Sequence, residues 1–93
     1  MRVRWLRKAL RNLDEEASYI AADDIVAARL VVQRVVSAVA QLAEQPGLGR
    51  PGRVPDTREL VVPKARYIVP YRISGETVEI LRVFHTNRRL PEH

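Results

Sequence analysis

Five side chains in the second half of the chain stand as candidates to handle a phosphate or a proton: Arg58, Arg82, His85, Arg88 and Arg89. A guanidinium grips phosphate oxygens through a planar fork of N–H donors and stays charged at physiological pH. A histidine titrates near neutrality and can act as general acid or base. Each residue also has a structural reading. His85, at a strand end, is more often a plain hydrogen-bonding residue. Arg82 either holds a phosphate or a target, or pairs internally with Glu59 or Glu79. Arg58 beside Glu59 reads as a charge pair on a sheet face rather than a catalytic couple, and an exposed pair adds little to stability. Arg88 and Arg89 lie in a C-terminal tail, where target contact and plain solvation compete. Tyr67 and Tyr71 could stack on bases, but aromatics at period two in a strand belong to the core. Asp14-Glu15-Glu16 reads as a solvated helix face.

The elements that must position these residues follow from hydrophobic periodicity. Val3 and Trp5 alternate with Arg2 and Arg4, as in a short strand with one buried face. From Leu6 the period changes: Leu6, Leu10, Leu13, Ala17 and Ile20 form the stripe of an amphipathic helix. Asp23 and Asp24 suit an N-cap and open a second helix, with Ala28, Val32, Val35, Val39 and Leu42 as its stripe. It stops at Pro46-Gly47. Pro46 to Pro55, with three prolines and three glycines, reads as a loop rather than a regular element. Its Gly47, Gly49 and Gly52 spell G-x-G-x-x-G, but a dinucleotide site needs a strand before and a helix after. Here the order is reversed, and the motif carries no nucleotide reading.

Arg58–Val62, Tyr67–Ile73 and Thr77–Phe84 read as strands. Tyr67, Val69, Tyr71 and Ile73 share one face, and Val78, Ile80 and Phe84 share a face of the next strand. Ser74-Gly75-Glu76 suits a hairpin turn. Pro70 cannot donate to a ladder and requires an edge position or a bulge. The order β-α-α-β-β-β predicts an α+β fold, a helical hairpin packed on a small, mostly antiparallel sheet.

Ninety-three residues make a single domain, 1–93. Without cysteine, disulfides and thiolate metal sites are excluded. Two histidines do not suffice for a protein-built zinc site, and neither a cofactor nor a metal is expected. The opening residues lack the apolar run of a signal peptide, and the apolar stretches fall short of a membrane span, so a cytoplasmic protein is expected. The net charge of +5 is uneven: residues 1–48 hold seven basic and six acidic side chains, residues 49–93 nine and five. The excess sits with the strands and would attract a polyanion or an acidic partner.

Several segments in order carry a resemblance. Trp5 ends the first strand; Tyr19-Ile20-Ala21 and Ala27-Ala28-Arg29 span the helices; Gly49–Gly52, Thr57-Arg58-Glu59-Leu60, Tyr67–Ile73 and Ile80–His85 follow. Together, over nearly the whole chain, they resemble the RelE/ParE toxin superfamily of type II toxin–antitoxin systems, and its ParE-like branch in particular. The resemblance implies a toxin neutralised by a cognate antitoxin in a hetero-oligomer. The antitoxin's C-terminal segment would lie on the helical hairpin and sheet edge.

Two activities occur in the superfamily. RelE-like members cut messenger RNA on the ribosome; ParE-like members inhibit DNA gyrase by binding. RNA cleavage through the 2′-hydroxyl needs a base, an acid and cations for the developing charge. In RelE-like nucleases an arginine stands near the start of the middle strand, and here that position is Ile68. Lys64 and Arg66 lie nearby but out of register, and no tyrosine follows Arg82. The departure favours gyrase, with Arg82, His85, Arg88 and Arg89 as the target-binding residues. Under the nuclease alternative Arg58, Arg82 and His85 would carry catalysis. A third reading is a toxin-derived module that has lost toxicity and only binds its antitoxin.

Overall fold

A computed structural model describes residues 1–87. Strand β1 (Arg2–Trp5) leads into helix α1 (Arg7–Ala21), helix α2 (Ile25–Ala40) and a 3-10 turn, Gln41–Ala43. Strands β2 (Arg50–Pro51), β3 (Arg58–Val62), β4 (Tyr67–Ser74), β5 (Thr77–Ile80) and β6 (Phe84–His85) follow. The α+β fold is as the sequence implies. The sheet order is β1-β5-β4-β3-β2, with β6 pairing β4 beyond the end of β5. β1 runs parallel to β5, and every other pairing is antiparallel.

The second helix starts where the sequence places it. Asp24 is extended and its Oδ1 accepts from the Ala27 amide at 3.0 Å, satisfying one of the orphan donors of the first turn. The buried faces need two adjustments. In α1 the fully buried position is Ala9, with Leu13 packed alongside, while Leu10 of the expected stripe points to solvent. In α2 Ala28, Val35, Ala38, Val39 and then Leu42 are buried, and Val32 is half-buried. Small residues at Ala9, Ala28 and Ala38 let the backbones come close. The helices cover one face of the sheet, meeting Leu60, Val62, Tyr67, Val69, Tyr71, Val78 and Ile80, with Val3 and Trp5 packed against that core.

Helix α2 and its 3-10 turn run unbroken for 19 residues, Ile25–Ala43, with a mean hydropathy of 1.5. That is the length of a membrane span, contrary to the sequence expectation. Its buried face and the charges of Arg29 and Arg34 make it a core helix of this fold.

The expected strand Thr77–Phe84 is in fact two, and Pro70 explains the break. Ile80 pairs with Tyr71, whereas Phe84 pairs with Ile68. Four residue steps on one side therefore match three on the other, which is a β-bulge. The Pro70 carbonyl accepts from the amides of Leu81 (2.9 Å) and Arg82 (3.4 Å). A residue's N and O point to the same side of a strand, so the N–H that proline lacks falls at this interruption. Pro70 thus sits in a central strand, with the bulge as its accommodation. The extra residue also moves Phe84 to the face opposite Ile80, alongside Ile68, and brings His85 to the helix-covered face beside Tyr67. The loop from Pro46 to Pro55 likewise contains a short ladder, Arg50 opposite Glu59 and Pro51 opposite Arg58. The β4–β5 connection is the expected hairpin, with Gly75 at φ 61° in the first central position.

Candidate functional site

The bulge and helix α1 assemble a polar cluster at one end of the core. Asn12 Oδ1 accepts from Arg82 Nε at 3.0 Å and from the Val83 amide at 3.2 Å. One helical turn on, Glu16 Oε1 accepts from the Tyr67 hydroxyl at 2.9 Å. The Tyr67 ring meets the His85 imidazole edge-on, centroids 5.1 Å apart. His85 Nδ1 accepts from the Asn87 amide at 3.1 Å, which puts the neutral ring's proton on Nε2. The i, i+4 spacing of Asn12 and Glu16 sets both on one helix face, and the bulge delivers Arg82 and His85 to it. Glu16 is thus a partner of the buried Tyr67, contrary to its reading as part of a solvated face. The internal partner of Arg82 is Asn12, not Glu59 or Glu79.

Arg58 belongs to another part of the molecule. Its Nη1 donates to the carbonyls of Gly49 (2.7 Å) and Gly47 (3.3 Å), holding the 47–49 loop against β3. Its expected partner Glu59 points to the opposite face of the sheet. There Glu59 Oε1 lies 3.4 Å from Arg50 Nη2, and Oε2 accepts from the Arg53 amide at 3.2 Å. Tyr71 is core, as expected, and its hydroxyl donates to Pro46 O (2.7 Å) and accepts from the Gly49 amide (2.8 Å). The structure therefore brings Arg82 and His85 together and assigns Arg58 to loop anchoring. Arg88 and Arg89 lie outside the described residues.

The middle-strand cation expected of the nuclease is missing from the cluster. Arg82 donates its Nε to Asn12, and Ile68, the middle-strand arginine position, is buried on the far face of the sheet from Tyr67. Lys64 and Arg66 sit with left-handed backbones (φ 60° and 52°) in the β3–β4 connection, exposed and off the strands.

Two apolar surfaces lie elsewhere. Tyr19, Ile25, Val26 and Leu30 are exposed on the helical hairpin, where a groove runs between α1 and α2 past Ala17, Ala21, Val32 and Val36. A second groove separates α2 from β3 at Leu60, Val61 and Lys64; among the described residues β2 pairs only with Arg58 and Glu59, which leaves this stretch of β3 at the edge of the described sheet. The sequence readings did not single out either groove residue by residue.

Comparison with known proteins decides the family. The model of the ParE toxin of the type II toxin–antitoxin system parDE matches residues 3–90. The chain belongs to the ParE toxin family. It is 53% identical over 91 residues to "Putative toxin Y4kP" of Sinorhizobium fredii, covering 98% of this chain and 94% of that protein. A solved structure, the chromosomal ParDE TA system from P. aeruginosa, superposes with a TM-score of 0.83 at 31% identity, covering 94% of this chain and 97% of that one. As a ParE-family chain, it places an internal Asn12–Arg82 pair where the resemblance suggested a target-binding arginine.

Proposed function

We propose that this ParE-family toxin inhibits DNA gyrase by binding, without chemistry of its own, and is neutralised by a cognate antitoxin. The observation that carries the reading over the nuclease alternative is the fate of the cations. Arg58 is bound to loop carbonyls, and the middle-strand arginine position is a buried isoleucine. Membership of the ParE branch supports the same choice. His85 and the tail with Arg88 and Arg89 would then form the target-contacting surface, with Arg82 holding the bulge that presents them. An antitoxin segment would lay an apolar helix on the Tyr19–Ile25–Val26 surface and add a strand to the open edge of β3, the two modes for which such surfaces are built.

The test runs two assays on one preparation, supercoiling of relaxed plasmid by gyrase and RNA cleavage in a translating extract. Inhibited supercoiling with intact RNA is the expected result. Cleaved RNA, lost in Arg82→Ala or His85→Ala, would establish the nuclease instead.

A further inference from the structure

We infer that the face of the sheet turned away from the helices binds the phosphate backbone of duplex nucleic acid. This surface is distinct from the cluster at His85 and from the groove between the helices, and at its β2 edge Arg50 and Glu59 also line the groove between α2 and β3; the inference does not depend on gyrase as the target.

The face is built from two copies of one arrangement. Arg4, Glu79 and Arg72 stand in register across β1, β5 and β4. Glu79 Oε1 accepts from Arg72 Nε at 2.7 Å, and Oε2 lies 3.7 Å from Arg4 Nη1. Glu59, opposite Pro70 on the same face, is likewise bracketed by Arg50 (3.4 Å) and Arg53 (4.0 Å). The side chains of the two glutamates are only 13% and 4% exposed, whereas those of the four arginines are 50–69% exposed. The carboxylates lie beneath and orient the guanidiniums; the guanidiniums face solvent. Each triad keeps one net positive charge and free N–H donors, the requirement for gripping a phosphate. Arg2, opposite Thr77 on the same face, adds a fifth cation. Asp56 and Glu76 lie in the turns at the margins.

The spacing suits separate phosphates. Glu59 and Glu79 sit on strands either side of β4, two residues apart along it, which puts the triads about 12 Å from one another. A duplex fits better than a single strand. Single-strand binding relies on exposed aromatic platforms. Trp5, Tyr67 and Tyr71 are in or against the core, Phe84 is buried, and Tyr19 is on α1. Arginines held by buried carboxylates, with no aromatic beside them to stack on a base, read backbone, not sequence.

The test is fluorescence anisotropy of the 93-residue chain with a labelled mixed-sequence 20-base-pair DNA duplex, and with one of its strands alone. Binding in the micromolar range is expected, with log K falling against log salt at a slope of about −2.7 for three net charges. Arg4→Ala combined with Arg53→Ala leaves each glutamate one arginine, so the fold should persist, as a thermal melt would verify. That pair should weaken duplex binding at least tenfold and flatten the slope by about two charges. Arg4→Ala alone, at a side chain 69% exposed, should give an intermediate loss. Arg7→Ala with Arg11→Ala, on α1, should change affinity less than twofold. Undiminished binding by either Arg4 variant, an equal loss in the α1 pair, or preference for the single strand would overturn the inference.

Discussion

The Tyr71 hydroxyl is the most exacting point at which to perturb this fold. Tyr71 is fully buried in the central strand, and its one oxygen closes two loop contacts: it donates to Pro46 O at 2.7 Å and accepts from the Gly49 amide at 2.8 Å. In Tyr71→Phe the ring still fills its place, so no cavity opens. Pro46 is only partly buried and its carbonyl can turn to water, but Gly49 is buried and its N–H is stranded. A stranded buried donor costs about 1–3 kcal/mol, so we expect a loss of about 2 kcal/mol. For a domain of this size each kcal/mol moves the midpoint by about 4–8 °C, giving a fall of about 8–16 °C in a thermal melt followed by circular dichroism. Arg58 anchors the same loop through Gly47 and Gly49, so Arg58→Gln should be non-additive with Tyr71→Phe. A midpoint within about 3 °C of the parent would refute the claim that this hydroxyl holds the loop to the sheet.

Further outcomes follow from particular contacts. Gly49→Ala should destabilise more than Tyr71→Phe, because the new Cβ would meet Tyr71 Cε1 at 2.6 Å and Glu59 O at 2.9 Å; Gly47→Ala, with nothing within 4 Å, should stay within about 0.5 kcal/mol by urea denaturation. Asn12→Ala removes the acceptor of the buried Val83 amide and should cost about 1–3 kcal/mol, read in the same titration. Ending the chain after Asn87 removes Arg88 and Arg89 while keeping His85 in its pairing with Tyr67; growth inhibition should disappear with thermal stability retained, and undiminished toxicity would remove the tail from the target surface. Val26→Asp, at a position 70% exposed, should weaken antitoxin binding at least tenfold by calorimetry and leave the melt unchanged.

The hairpin of helices and the strands at β1, β3 and β4 were legible because period 3.6 and period two are written into Ala28–Leu42 and Tyr67–Ile73, and because Asp24 is a cap by its own chemistry. Pro70 called for either an edge position or a bulge, and the structure takes the bulge. What it could not announce was the position of the extra residue, since Leu81-Arg82-Val83 has no glycine or turn signal and the register is set by the partner strand. The misplacement of Phe84 follows from that one step. Site partners were harder still. Arg58 and Glu59 are adjacent in sequence and on opposite faces in space, and their actual partners, the Gly47 and Gly49 carbonyls for one and Arg50 and Arg53 for the other, come from a loop with no periodicity. Glu16 looked like one more acid on a polar helix face until Tyr67 arrived 51 residues later.

The central claim is inhibition of gyrase by binding, and its most direct test is a supercoiling titration of the purified chain at two gyrase concentrations, with RNA integrity followed alongside. Stoichiometric binding predicts that the half-inhibiting amount of toxin rises in proportion to gyrase and that RNA stays intact. Undisturbed supercoiling by a folded chain, or RNA loss at catalytic amounts of toxin, would contradict it.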